Sequence, residues 1–175
     1  MGLAASQQPL SITAGVYQEV RVPDGCVPYS SHTVLGARGL RVQRGSGVWG
    51  AVACRIISNP GSDIQIGLAT GDVSPTRYLG DPDGPGQACG WWGRGHLCSS
   101  LPGLPREFGT FPKYGEGDTL ALVVDCRDAP CVRFVVNGAV VATRPLPEGL
   151  LLFSAIRMYG RKKAHLQIVE APAQP

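Results

Sequence analysis

An all-β fold, an antiparallel sandwich of two packed sheets, is what this sequence predicts, and three observations predict it. Apolar residues alternate with polar ones over short stretches, the two-residue period of a strand with one buried face, and no stretch keeps the 3.6-residue period of an amphipathic helix. Turn formers cut these stretches at close intervals, since the 24 Gly and 15 Pro make up about a fifth of the 175 residues. The hydrophobic content of 43% supports a core of its own and excludes a disordered polar chain.

Taken in order, residues 48–57 and 64–69 read as strands joined through the turn Asn59-Pro60-Gly61. Residues 71–112 are rich in Gly and Pro, alternate weakly and hold most of the loops expected to be exposed. Gly115-Glu116-Gly117-Asp118 leads into 120–124, an apolar run of the kind a buried strand carries. The Asp118 side chain is suited to cap backbone N–H groups of that turn, and Asp125, at the strand's end, to receive loop amides. These are structural roles, not those of a catalytic carboxylate pair. Val132, Phe134 and Val136 alternate with Arg133 and Val135 and run into Asn137-Gly138, the dipeptide that best tolerates the two positive φ angles of a type I′ hairpin turn. Residues 139–142 form the return strand. Residues 151–158 and 166–169 form the last two, around the polar turn 159–163. Residues 1–12 are expected to be a flexible extension and 171–175 a loose tail, flanking one domain at 13–170.

The formal charge of +3 is small and mixed along the chain, which argues against a surface given over to nucleic acid. One local basic patch stands out, Arg157 with Arg161, Lys162 and Lys163. No apolar run approaches the roughly 20 residues that span a bilayer. The first residues lack the basic and apolar regions of a secretory signal, so an intracellular, cytoplasmic protein with reduced thiols is expected. Those thiols are Cys26, Cys54, Cys89, Cys98, Cys126 and Cys131, with no CxxC among them. Met1-Gly2-Leu3-Ala4-Ala5-Ser6 fits the N-myristoylation pattern, which makes Gly2 a candidate lipidation site and the only route to a membrane. A single acyl chain anchors weakly, and the basic patch is the second signal it would need.

Chemistry is sparse. The three histidines, His32, His96 and His165, sit in no metalloprotease pattern, and neither a nucleophile elbow nor a P-loop occurs. Cys89, His96 and Cys98 supply only three local ligands at a spacing that matches no zinc knuckle. No catalytic residue, metal or cofactor is therefore predicted. The sharper signal is Trp91-Trp92-Gly93-Arg94. Neighbouring residues on a strand point to opposite faces, so one Trp enters the core and the other faces out beside Arg94, a pairing suited to recognition. Trp92, which runs directly into the Gly93-Arg94-Gly95 loop, is expected to be the outward one.

The order of motifs resembles the SPRY (B30.2-like) family over about residues 15–170, nearly the whole chain. Gly47-Val48-Trp49 resembles its early Gly-x-Trp strand, and Ile66-Gly67-Leu68-Ala69 a second. Gly90-Trp91-Trp92 with Gly95-His96-Leu97 resembles its central aromatic strand and loop. Gly117-Asp118 through Asp125, Phe134 with Asn137-Gly138, and Ser154 through Gly160 follow in the family's order. Two features depart from it: no acidic residue follows Trp49, and the last strand carries His165-Leu166-Gln167-Ile168-Val169 where the family has an Asn-Phe-Gly ending. The resemblance implies a concanavalin-like jelly roll that binds a protein partner and catalyses nothing. It implies an adaptor or subunit, with no second, effector domain in a chain of this size, that recognises a short peptide or loop. The implied contact surface gathers the loop at 24–31 with Tyr29, the segment at 76–78 with Tyr78, and Trp91, Trp92 and Arg94. Two rival readings are a lectin-like sandwich, with Trp91 or Trp92 stacked on a sugar, and a nucleic-acid-binding accessory domain using the basic turn.

Overall fold

A computed structural model describes residues 10–12, 18–21, 31–61, 64–159 and 164–169, with the backbone alone at 10–12, 18–21 and 31. Among the described residues every regular element is a strand: β1 (Leu10–Ile12), β2 (Gln18–Arg21), β3 (Ser31–Arg41), β4 (Val48–Ser58), β5 (Ile64–Ala69), β6 (Ala88–Trp92), β7 (His96–Ser99), β8 (Glu107–Phe108), β9 (Thr119–Asp125), β10 (Cys131–Val136), β11 (Ala139–Pro145), β12 (Leu151–Tyr159) and β13 (His165–Ile168). No helix among them is long and apolar enough to cross a membrane. One sheet has seven strands in the order β1-β3-β12-β5-β6-β7-β8 and the other six, β11-β10-β9-β4-β13-β2. All pairings are antiparallel except β1 with β3.

The alternation read from the sequence translates directly into layers. Cys54, Ile56, Leu120, Leu122, Val124, Val132, Phe134 and Leu166 of the six-stranded sheet meet Ile64, Ile66, Leu68, Trp91, Leu97, Leu152 and Ile156 of the seven-stranded sheet. Each such side chain, fully withdrawn from water, contributes about 1.5–3 kcal/mol. The intervening Ala53, Ala121, Val123 and Val135 form a second, smaller cluster on the six-stranded sheet. Asn137 (φ 49°) and Gly138 (φ 84°) both adopt the left-handed backbone that the β10–β11 turn demands. The Asn137 side chain accepts the Thr119 amide at 2.9 Å and donates to Asp118 Oδ1 at 3.0 Å, while Asp118 Oδ2 accepts the Gly115 amide at 2.9 Å. One aspartate and one asparagine thus lock the start of β9 to the turn beyond β10.

Three stretches differ from the sequence expectation. β3 was not predicted, because Gly36 and Gly39 interrupt its alternation and read as turn formers. In the fold they are close-approach positions, since a Cβ on Gly36 would lie 2.2 Å from Ser154 Oγ on the neighbouring β12. Leu10–Ile12, assigned to the N-terminal extension, pairs with β3 as a parallel strand. The segment 71–112 holds three strands, β6 to β8, at one end of the seven-stranded sheet.

The longest irregular stretch among the described residues is 70–87, longer than the about 12–15 residues beyond which structureless loops become uncommon. This loop lies on the outer face of the seven-stranded sheet. The Thr33 amide donates to Pro75 O at 3.1 Å. The buried Gln65 side chain clasps one residue of the loop, accepting the Leu79 amide at 3.0 Å and donating to Leu79 O at 3.3 Å. Val73 and Leu79 pack with Leu35, Ala69, Ala88 and Ala155 beneath it.

Asp125 has the structural role expected of it. Its carboxylate accepts the Arg127 amide at 3.0 Å, the Arg127 guanidinium at 3.1 and 2.8 Å, and Arg133 Nη2 at 2.8 Å. The Arg127 side chain first, then its amide and Arg133, outweigh the burial that opposes them and hold the Asp125 carboxyl well below the usual carboxylate range. A carboxyl depressed in the folded state stabilises above its unfolded pKa, near 3.9, and loses that contribution as pH falls toward the folded value. The melting temperature is expected to fall as pH is lowered below about 4. Asp125→Asn should melt earlier at pH 7 and show a shallower acid limb. Equal melting of parent and variant at pH 7 would remove this cluster from the stabilising interactions.

Candidate functional site

Strand register decides which side chains the β6–β7 hairpin shows to solvent. Gly67 on β5 faces Gly90 on β6, and a Cβ on Gly67 would lie 1.7 Å from Cys89 O, so only glycine allows the two strands to approach this closely. With that register set, Trp91 faces the core. It has no exposed surface, its Nε1 donates to Pro112 O at 2.9 Å, and its ring meets Tyr114, Phe134 and Phe111 edge-on at 4.9, 5.4 and 6.1 Å. The Tyr114 hydroxyl lies 2.8 Å from the carbonyls of Ile64 and of Trp91 itself. Trp91 is therefore a core residue, which corrects its assignment to the contact surface.

The next residue is on the opposite face. Gln65, Trp92, His96 and Phe108 are successive cross-strand partners on β5, β6, β7 and β8. The Trp92 and His96 rings are 5.6 Å apart, and so are those of His96 and Phe108. Trp92 is half-buried, whereas Phe108 is 60% exposed. The Arg94 guanidinium lies over the Trp92 ring at 5.4 Å, with Nη2 donating to Gly61 O at 3.1 Å. Arg106 lies over Phe108 at 5.8 Å. The Gly109 amide donates to His96 Nδ1 at 2.7 Å, which leaves the proton of the neutral ring on Nε2.

Tyr78, 39% exposed, stands on the 70–87 loop directly before Leu79, the residue that Gln65 clasps. Since Gln65 pairs with Trp92, the loop is anchored beside the aromatic row. At its base, Asp72, Val73, Ser74, Pro75, Thr76 and Pro85 line a cleft of about 350 Å³. Arg77 pairs with Asp81 at 2.9 Å. Burial works to raise the Asp81 carboxyl, but the Asp83 amide, the Arg77 bond and the charges of Arg77 and Arg106 together hold it below the usual range. Arg106 and the loop therefore share one electrostatic neighbourhood.

The predicted residues thus separate. Trp92 and Arg94 are in contact, Tyr78 stands on the loop anchored next to them, and Trp91 is in the core. Arg157 is 7% exposed, with its guanidinium over the Tyr159 ring at 5.2 Å, so it does not belong to a solvated basic patch. The reason is its place on β12, between β3 and β5 and opposite Gln65. Tyr29, Gly2, Arg161, Lys162 and Lys163 lie outside the described residues. Cys89 packs in the core, whereas His96 belongs to the outward row, so these two side chains do not converge. Among the described residues no three His, Cys, Asp or Glu side chains gather as for a metal. Burial pushes the Cys54 and Cys89 thiols up to about 12, far from nucleophilic. Sequence reasoning missed Arg106 and Phe108 as site residues and weighed His96 only as a ligand. A large aromatic within the Pro- and Gly-rich 71–112 stretch was the signal available.

No family model matches this sequence, and no curated protein does. Solved structures do match the fold. A human SPRY domain superposes with a TM-score of 0.65 at 16% identity, over 90% of this chain and 99% of that one. The SPRY domain of human HERC1 superposes with a TM-score of 0.58, also at 16% identity, over 84% of this chain and 87% of its own. The sandwich seen here is thus the SPRY sandwich in architecture, over most of its length.

The two tryptophans should separate experimentally. Trp91→Ala, which empties a fully buried site, is expected to cost about 3–5 kcal/mol in denaturant unfolding. Trp92→Ala and Phe108→Ala should each cost less than about 1.5 kcal/mol, as half-exposed positions do. Equal losses for Trp91→Ala and Trp92→Ala would contradict the register described.

Proposed function

With the SPRY-like sandwich as premise, we propose that this chain is a non-catalytic protein-interaction module, an adaptor that recognises a short peptide or an exposed loop of a partner. The observation that carries the reading is the anchored loop at 70–87. Its backbone is held by Gln65 and Thr33, so it presents Tyr78 on the outer face of the sheet that also carries Trp92, with little ordering left to do on binding. Tyr, Trp and Arg are the residue types in which binding energy concentrates. Chemistry for catalysis is not what the site offers: its histidine takes a backbone amide, and Cys54 and Cys89 are buried. A sugar-binding site would need amides or carboxylates free beside the ring, and the amide paired in register with Trp92, that of Gln65, is spent at both ends on the Leu79 backbone.

Selection of a random twelve-residue peptide library on the purified chain is expected to enrich binders. Tyr78→Ala should weaken the best of them about thirtyfold, the loss of about 2 kcal/mol that a central contact gives, without moving the melting temperature. A chain that enriches no sequence, or a Tyr78→Ala variant that binds them as tightly as the parent, would sink the proposal.

A further inference from the structure

We infer that the segment this chain takes is acidic, and that it is read by the outward row of rings and the cations set around it; this deepens the peptide-binding reading and rests on it. The row is Trp92, His96 and Phe108, ending at β8, the last strand of its sheet. Arg94 and Arg106 are exposed and each stacks on a ring, at 5.4 and 5.8 Å. Neither makes an ion pair among the described residues. Lys113 is exposed at the same hairpin, its stem 3.3 Å from where a Cβ on Gly95 would lie, and it too has no ion pair there.

Two carboxylates near the row are already engaged. Asp81 is taken by Arg77 at 2.9 Å, and Glu107, facing the other side of β8, is taken by Arg144 at 2.7 and 2.9 Å. Elsewhere the surface arginines Arg44, Arg127 and Arg133 have their own acid. Among the described residues Arg38, Arg41 and Arg55 are also exposed without an ion pair, but no ring lies beneath them; here the unpaired cations sit on rings beside the most exposed large apolar side chain described, Phe108. A guanidinium held against a ring is partly ordered already, so less freedom is lost when a carboxylate docks on it.

The geometry also suggests spacing. Arg106 and Phe108 are two residues apart and so face the same way, and β8 has an unpartnered edge in its sheet. An extended peptide added along that edge offers alternate side chains to this face, so an acid facing Arg106 places an apolar side chain two residues away against Phe108. The motif expected is Asp or Glu, any residue, then Leu or Phe. A single-stranded nucleic acid fits less well, because one face of Trp92 and one of Phe108 are already taken by Arg94 and Arg106, which leaves fewer faces on which bases could stack.

The test uses the same peptide selection on the whole chain and on Arg94→Glu/Arg106→Glu, followed by titration of three probes. These are a ten-residue peptide alternating Glu with Leu, its Gln-for-Glu counterpart, and a ten-residue oligouridylate. Sequences selected by the parent should carry an acid two residues from Leu or Phe. The Gln counterpart should bind at least about tenfold more weakly, and raising salt from about 50 to 300 mM should weaken the Glu peptide by a similar factor. The double variant should lose the acidic preference while melting like the parent; if it does not fold, Arg94→Gln and Arg106→Gln serve in its place. Peptides enriched without acidic bias, or an acidic bias unchanged in the variants, would overturn this inference and leave the peptide-binding reading standing. Enrichment of nothing removes both. Oligouridylate bound more tightly than the Glu peptide would also overturn it, in favour of a nucleic-acid partner.

Discussion

Gln65 has no exposed surface, lies on the middle of the seven-stranded sheet, and spends both ends of its amide on the backbone of Leu79. A buried amide with either end unmet would cost about 1–3 kcal/mol, so the loop and the glutamine hold each other in place. Everything on that face follows from this clasp. Leu79 and Val73 are pressed against Leu35, Ala88 and Ala155, which gives the sheet an apolar layer on its outer side as well as in the core. β5 and most of β12 are covered, while Trp92, His96 and Phe108 at the β6–β8 end stay partly or fully open to water.

Backbone proximity makes the clasp possible. Gly90 lies under the loop, where a Cβ would come within 2.7 Å of Leu79 Cβ and 2.8 Å of Gln65 Nε2. Gly80, in the left-handed region at φ 88°, rests on the backbone of Cys98. Neither position tolerates a side chain, Gly90 through close approach alone and Gly80 through close approach together with its left-handed turn conformation. The same closeness sets the β5–β6 register, and a one-residue slip there would exchange Trp91 for Trp92 and carry an indole out of the core.

This explains what was legible in the sequence. β9 to β11 could be read because Phe134 and its neighbours alternate without interruption and Asn137-Gly138 has one geometric use. β3 could not, since Gly36 and Gly39 look identical in sequence to turn residues and differ only in having β12 against them. The sequence predicted that Trp91 and Trp92 face opposite ways, with Trp92 outward beside the Arg94 loop, and the contacts that bury Trp91 are the ones distant in sequence: Pro112, Tyr114 and Phe134. Arg157 reads as part of a basic turn when counted along the chain, yet strand parity places it beside Gln65. Glu107–Phe108 is a strand of two residues, too short for any period to register, and so the most exposed ring of the site went unread.

The arginines show how one residue type divides between architecture and recognition. Arg144 reaches from β11 to Glu107 on β8 and lies over the Phe111 ring at 5.2 Å, so it spans the open side of the sandwich between the edge strands of the two sheets. Arg127 and Arg133 close the β9–β10 connection through Asp125. In each case a carboxylate of the same chain completes the charge, and the partners lie on elements the fold must join. Arg94 and Arg106 have rings beneath them and make no ion pair among the described residues. Stacking alone gives an exposed arginine only about 0.5–1 kcal/mol, and it leaves the outer edge of the guanidinium, where a carboxylate binds in two-point fashion, turned to solvent. Arg94 gives the fold one nitrogen, Nη2 to Gly61 O at 3.1 Å, whereas Arg106 makes no side-chain hydrogen bond among the described residues, so its edge is the one that folding leaves unused.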